Sequence, residues 1–132
     1  GPEGPTGPVA DQVIYLKVIP DATALTTGDG KLYFTVPSDL NGLVVKSVHA
    51  AVYTASSSGT PTIQIYNSRH ANDVLTTRVT IDTSEYTSYT AATAPVVNTT
   101  YDDVETGDRL RIDVDAAGTG VTGLDVIIVI GS

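Results

Sequence analysis

Apolar residues recur at every second position in short runs along this chain. That period admits strands and excludes helices. The cleanest run is Asp108–Asp115, where Leu110, Ile112 and Val114 alternate with Arg109, Arg111, Asp113 and Asp115. Successive side chains of an extended chain point to opposite faces, so the run has one apolar and one polar face. Gln12–Ile19 repeats the pattern with Ile14, Leu16 and Val18 on one face, and Pro20-Asp21 is expected to end it. Thr27-Gly28-Asp29-Gly30 reads as a turn, followed by Lys31–Val36 with Leu32, Phe34 and Val36 aligned. Pro37–Gly42 reads as a loop with one helical turn. Leu43–Ala55 places Val48, Ala50 and Val52 inward, and Thr62–Tyr66 aligns Ile63 with Ile65. Val74–Asp82 sets Leu75, Thr77, Val79 and Ile81 against a polar face, and Val96–Tyr101 is a weaker run. No stretch of helical length carries apolar spacing of the helical period with a start cap. The pattern predicts an all-β fold, an antiparallel β-sandwich of the jelly-roll kind with about eight strands.

The last run, Leu124–Ile130, is apolar on both faces. A sandwich strand normally keeps one face in water. Leu124, Val126, Ile128 and Ile130 can fill the core, which leaves Ile127 and Val129 in need of another apolar cover. A loop of the same chain could supply it, but a second feature makes a threefold interface the natural candidate. Gly1-Pro2-Glu3-Gly4-Pro5-Thr6-Gly7-Pro8-Val9 is three successive Gly-Pro-Y triplets. Glycine at every third position is what a collagen triple helix requires, because only glycine fits at its crowded axis. The triplets call for three parallel chains in register. They are too short to hold a triple helix alone and read as the end of a longer shaft, with a Pro/Gly-rich linker as the alternative. The expected organisation is a shaft end at residues 1–9 and a β-sandwich head at residues 10–132. The head is expected to be a homotrimer with Ile127 and Val129 at its interface.

Composition narrows the partners. The net charge of −8 comes from 15 acidic and 7 basic residues, a field that repels phosphate backbones and anionic membrane surfaces. No nucleic-acid role is expected. The longest apolar run, Val126–Ile130, is far too short to span a bilayer, so no membrane insertion is expected. Cysteine is absent, so neither disulfides nor thiol chemistry is available.

Groups able to carry chemistry are sparse. His49 lies in a strand on the face opposite the Val48 row, as an interface or surface residue. His70 lies in the Asn67–Asn72 loop and is expected to be solvated. Neither has metal-ligand spacing, and no Gly-x-Ser-x-Gly elbow occurs. Asp102, Asp103, Glu105 and Asp108 form the densest acidic cluster, but their spacing does not match an EF-hand loop and reads as a solvated turn. No catalytic residue, metal or cofactor is expected. Sugar recognition would use exposed aromatic rings as flat platforms. Tyr53, Tyr66, Tyr86, Tyr89 and Tyr101 are the rings outside the expected core, and Tyr86 and Tyr89 sit in the longest irregular stretch, where binding groups are often held.

The order of parts, collagen-like triplets followed by a Thr/Val-rich, Cys-free β-domain, resembles phage fibre proteins with compact trimeric heads. Leu25–Pro37 and Thr106–Asp115 look like segments common in such structural proteins. The resemblance covers nearly the whole chain but brings no active-site motif. It implies a virion location, outside the host cell, and a structural and adhesive head that trimerises the shaft. It implies adhesion to host or environmental surfaces, with host cell-surface carbohydrate as the candidate partner. A fibre-borne glycan-degrading enzyme and a bacterial collagen-like surface protein stand as the alternatives.

Overall fold

A computed structural model of the chain describes residues 10–132. The Gly1–Val9 triplets, and with them the expected shaft end, lie outside the described residues. Among the described residues ten strands form: β1 (Gln12–Ala24), β2 (Gly28–Thr35), β3 (Val44–Ala51), β4 (Thr62–Asn67), β5 (Asn72–Asp73), β6 (Leu75–Thr77), β7 (Val79–Thr80), β8 (Val96–Val97), β9 (Arg109–Ala116) and β10 (Thr122–Gly131). Two single-turn 3-10 helices, Ser38–Leu40 and Ser88–Thr90, interrupt the loops. The fold is all-β, as the alternation predicts.

Two antiparallel sheets carry the structure. One has the order β1-β10-β3 and the other β2-β9-β4-β5, with β7 also pairing β4. A two-stranded ribbon, β6-β8, completes the fold. The inner faces of the sheets meet in one core. Val126, Ile128, Ile130, Val48 and Ala50 come from the first sheet, and Ile63, Ile65, Leu110, Ile112 and Val114 from the second. These are the residues the period-2 pattern assigns inward, and each is essentially buried. Apolar area removed from water at about 25 cal/mol per Å² drives this packing.

The structure departs from the sequence reading where strand ends depend on partners. Pro20 does not end β1. The strand continues to Ala24, with register shifts between Lys17 and Ile19 and between Ile19 and Ala24. β1 is an edge strand, where a residue lacking an N–H costs no ladder bond if that side faces outward. Gly28-Asp29-Gly30, expected in a turn, belongs to the irregular start of β2, with a register shift before Leu32. The Val74–Asp82 run is not one strand. β6 turns to β8, whereas β7 pairs β4, so one alternating run serves two sheets.

Gly123 marks the shift in β10 opposite Ile19–Ala24. Its φ is +72°, and a Cβ there would lie 2.9 Å from Tyr53 Cβ and 3.1 Å from Asp21 Cα. Both obstacles are close to the backbone and cannot swing away. Gly123→Ala is therefore expected to destabilise by about 1–3 kcal/mol, seen as a lower urea midpoint with an unchanged slope.

Candidate functional site

The expected interface residues sit on the outer face of the β1-β10-β3 sheet. Three cross-strand rows define that face: Val13, Val129 and Ser47, then Tyr15, Ile127 and His49, then Lys17, Asp125 and Ala51. Ile127 and Val129 are half-buried, because their neighbours on β1 and β3 cover part of each. Val13 and Tyr15 are 64% and 60% exposed. The four form a continuous apolar patch on a sheet face, a feature typical of interaction surfaces.

The face changes character along the strands. Tyr15 donates its hydroxyl to Asp125 Oδ2 at 2.6 Å, and Lys17 Nζ reaches Asp125 Oδ1 at 2.8 Å and Asp21 Oδ1 at 2.5 Å. The Asp125 hydrogen bond, with burial and the neighbouring carboxylates, holds the Tyr15 phenol above its ordinary range. The row beyond Tyr15 is thus charged and paired, and the apolar patch lies toward the start of β1. The sequence reading named Ile127 and Val129 but missed Val13 and Tyr15. The signal was there: Gln12–Ile19 is apolar on both faces, the same test that singled out Leu124–Ile130.

The two edges of this sheet differ. Val45 N–H donates to Asp102 O, Val52 N–H to Tyr86 O, and Ala50 N–H to Ser88 Oγ, so segments of the same chain cap β3. Among the described residues no backbone hydrogen bond reaches the outer edge of β1 over Gln12–Ile19.

Tyr86 and Tyr89 both lie in the segment that caps β3, and they are 58% and 61% exposed. Tyr89 stacks on His49, with ring centroids 4.0 Å apart and planes 20° apart. His49 Nδ1 also lies 2.7 Å from Ser88 Oγ, and burial holds the imidazole below its ordinary range. His49 therefore sits on the sheet face as expected, half-covered by Tyr89.

The other sheet carries a cross-strand row of Tyr33, Arg111, Tyr66 and Asp73 on its outer face. The Arg109 guanidinium lies 4.3 Å from the Tyr33 ring centre, and that of Arg111 4.2 Å from Tyr66. Arg111 also makes a two-pronged contact with Asp113, through Nε at 2.8 Å and Nη2 at 2.9 Å. Each cation–π contact at such a site contributes about 0.5–1 kcal/mol.

The acidic cluster contains the expected solvated turn, closed by the Asp108 N–H to Glu105 O bond with Glu105 exposed, but Asp108 itself is buried. Arg69 gathers three of the cluster's four carboxylates: Asp108 at 2.8 Å, Asp103 at 3.0 Å and Glu105 at 3.6 Å. Asp108 is buried and also accepts from Asn67 Nδ2 and the Glu105 N–H. His70, expected to be solvated, is instead packed against Tyr101 and Asp103. Arg69 draws charge together from the β4–β5 turn and the loop before β9, a juxtaposition that no local spacing announces. Among the described residues no group of three or more His or carboxylate side chains is arranged to hold a metal ion, and no pocket is present. No described helix is long and apolar enough to cross a membrane.

Comparison of the chain with protein-family models, with curated proteins and with solved structures gives no match.

Proposed function

We propose that the protein is the structural and adhesive head of a trimeric, collagen-like phage fibre. The observation that carries the reading is the uncharged outer face at Val13, Tyr15, Ile127 and Val129, in a chain whose sequence opens on Gly-Pro-Y triplets. A triple helix needs three chains and something to hold them in register. A chain of net charge −8 repels its own copies, so a threefold contact must be apolar or locally compensated. This patch is both uncharged and apolar. In this reading the head trimerises the shaft, and the fibre stands on the outside of a virion.

The adhesive part of the reading assigns host cell-surface carbohydrate to the exposed rings of Tyr86 and Tyr89, beside β3. Sugar rings stack on aromatic faces, and these two rings stand on the sheet edge farthest from β1. A glycan array probed with the native protein and with Tyr86→Ala and Tyr89→Ala tests it. Binding that both variants weaken supports the assignment, and binding that neither changes removes it.

Light scattering at tens of micromolar tests the assembly. A mass of three chains is expected. Ile127→Asp is expected to yield a folded single chain, because a carboxylate in a closed apolar contact costs several kcal/mol and would be met three times. A single-chain mass for the unmodified protein would defeat the reading.

A further inference from the structure

We infer that the start of β1 lines the threefold axis of the assembly, with Val13 and Tyr15 of each copy facing a second and a third copy of this chain. The inference rests on the trimeric reading above and adds where the axis runs. Three features converge on that strand.

The first is connectivity. The last triplet ends at Val9, four residues before Val13. An extended chain of that length spans at most about 14 Å. Three chains that leave one triple helix are close together, since their glycines share its axis. The three copies of Val13 are therefore tethered near that axis. β3, on the opposite side of β10, has no such tether.

The second is the gradient along the sheet face. The Val13–Val129 and Tyr15–Ile127 rows are apolar, and the next row is the closed Lys17–Asp125–Asp21 ion-pair group. The apolar part lies at the end of the sheet where the triplets join. A contact surface spreading from a triplet-proximal axis would have this polarity, with its charged border farthest from the junction.

The third is the bare edge. β1 runs for 13 residues and, among the described residues, pairs only with β10. A long uncovered edge strand invites pairing with other chains, and proteins usually block such edges. The far side of the sheet follows that rule, with the segment carrying Ser88 laid along β3. Over Gln12–Ile19 the covering element is a neighbouring copy.

Cross-linking decides the matter, because the chain contains no cysteine and a single introduced thiol reports only on itself. Val13→Cys, treated with a disulfide-forming oxidant or a short bismaleimide, is expected to give covalent two-chain species on a non-reducing gel. Val96→Cys, which alters a residue exposed on the β6-β8 ribbon, is expected to stay single at the same concentration. Val13→Asp is expected to shift the scattering mass from three chains to one while circular dichroism stays that of the folded protein. A protein that remains a trimer, with Val13→Cys uncoupled and Val13→Asp still trimeric, overturns the axis placement and leaves the trimeric reading standing. A single-chain mass for the unmodified protein overturns both.

Discussion

Ile128→Ala is expected to lower the unfolding free energy by about 2–5 kcal/mol, the range for deleting a buried branched side chain. Ile128 is wholly buried, paired across the sheet with Ile14 on one side and Val48 on the other. The sheets meet there, and neighbours locked in two hydrogen-bonded ladders cannot collapse into the space left behind. Ile127→Ala, one position earlier, removes the same atoms from the opposite face. In the isolated chain its cost should fall well below that of Ile128→Ala, because Ile127 is already half in water. Guanidinium unfolding curves of the two variants measure the difference. The comparison carries a second result. If Ile127→Ala becomes costly only at protein concentrations where the native chain assembles, the extra cost belongs to the contact between copies.

Asp108→Ala is expected to cost about 2–3 kcal/mol, below the range for a wholly buried ion pair. The discount comes from Arg69, whose side chain is 31% exposed and can regain water when its partner leaves. Asn67 Nδ2 and the Glu105 N–H lose their acceptor as well. The same site makes stability depend on pH. Burial alone would raise the Asp108 carboxyl, but the hydrogen bonds from Asn67 and Glu105 and the Arg69 charge together hold it below the usual carboxylate range. Asp103 is lowered too, chiefly by its hydrogen bond from Arg69. A carboxyl lowered on folding stabilises fully above its unfolded value, near pH 4, and loses that contribution as pH falls through the lower folded value. Thermal unfolding should therefore show a large gap between native protein and Asp108→Ala at neutral pH. The gap should narrow on acidification toward pH 3 and below. An equal gap at all pH values would mean that the carboxylate charge contributes nothing.

Much of the fold was legible because a strand writes its burial into every second residue. Leu110, Ile112 and Val114 were assignable to the core from their own segment, and so were Ile63, Ile65 and Val48. The single helical turn after Pro37 was legible as well. Val13 and Tyr15 could have been read by the rule that picked out Ile127 and Val129. Pro20 was misread because its effect depends on whether its strand lies at an edge. The packing of His70 and the burial of Asp108 within the acidic turn escape the sequence for a related reason. Arg69 meets Asp103, Glu105 and Asp108 across more than 30 positions of chain, and solvation cannot be judged without knowing what packs there.

That this chain makes strands, which side of each long strand faces the core, and the triplet repeat of its first nine residues can all be read without a structure. Those properties are local, set by backbone geometry and by the alternation of apolar and polar side chains. The neighbours are set by folding: β10 between β1 and β3, one alternating run shared by two sheets, an outer face that passes from apolar to charged, and three carboxylates drawn to one arginine. Strand pairing is non-local. A period of two says which face of a strand is buried, but many pairings satisfy it equally, and the choice among them is made by the packing of the whole core.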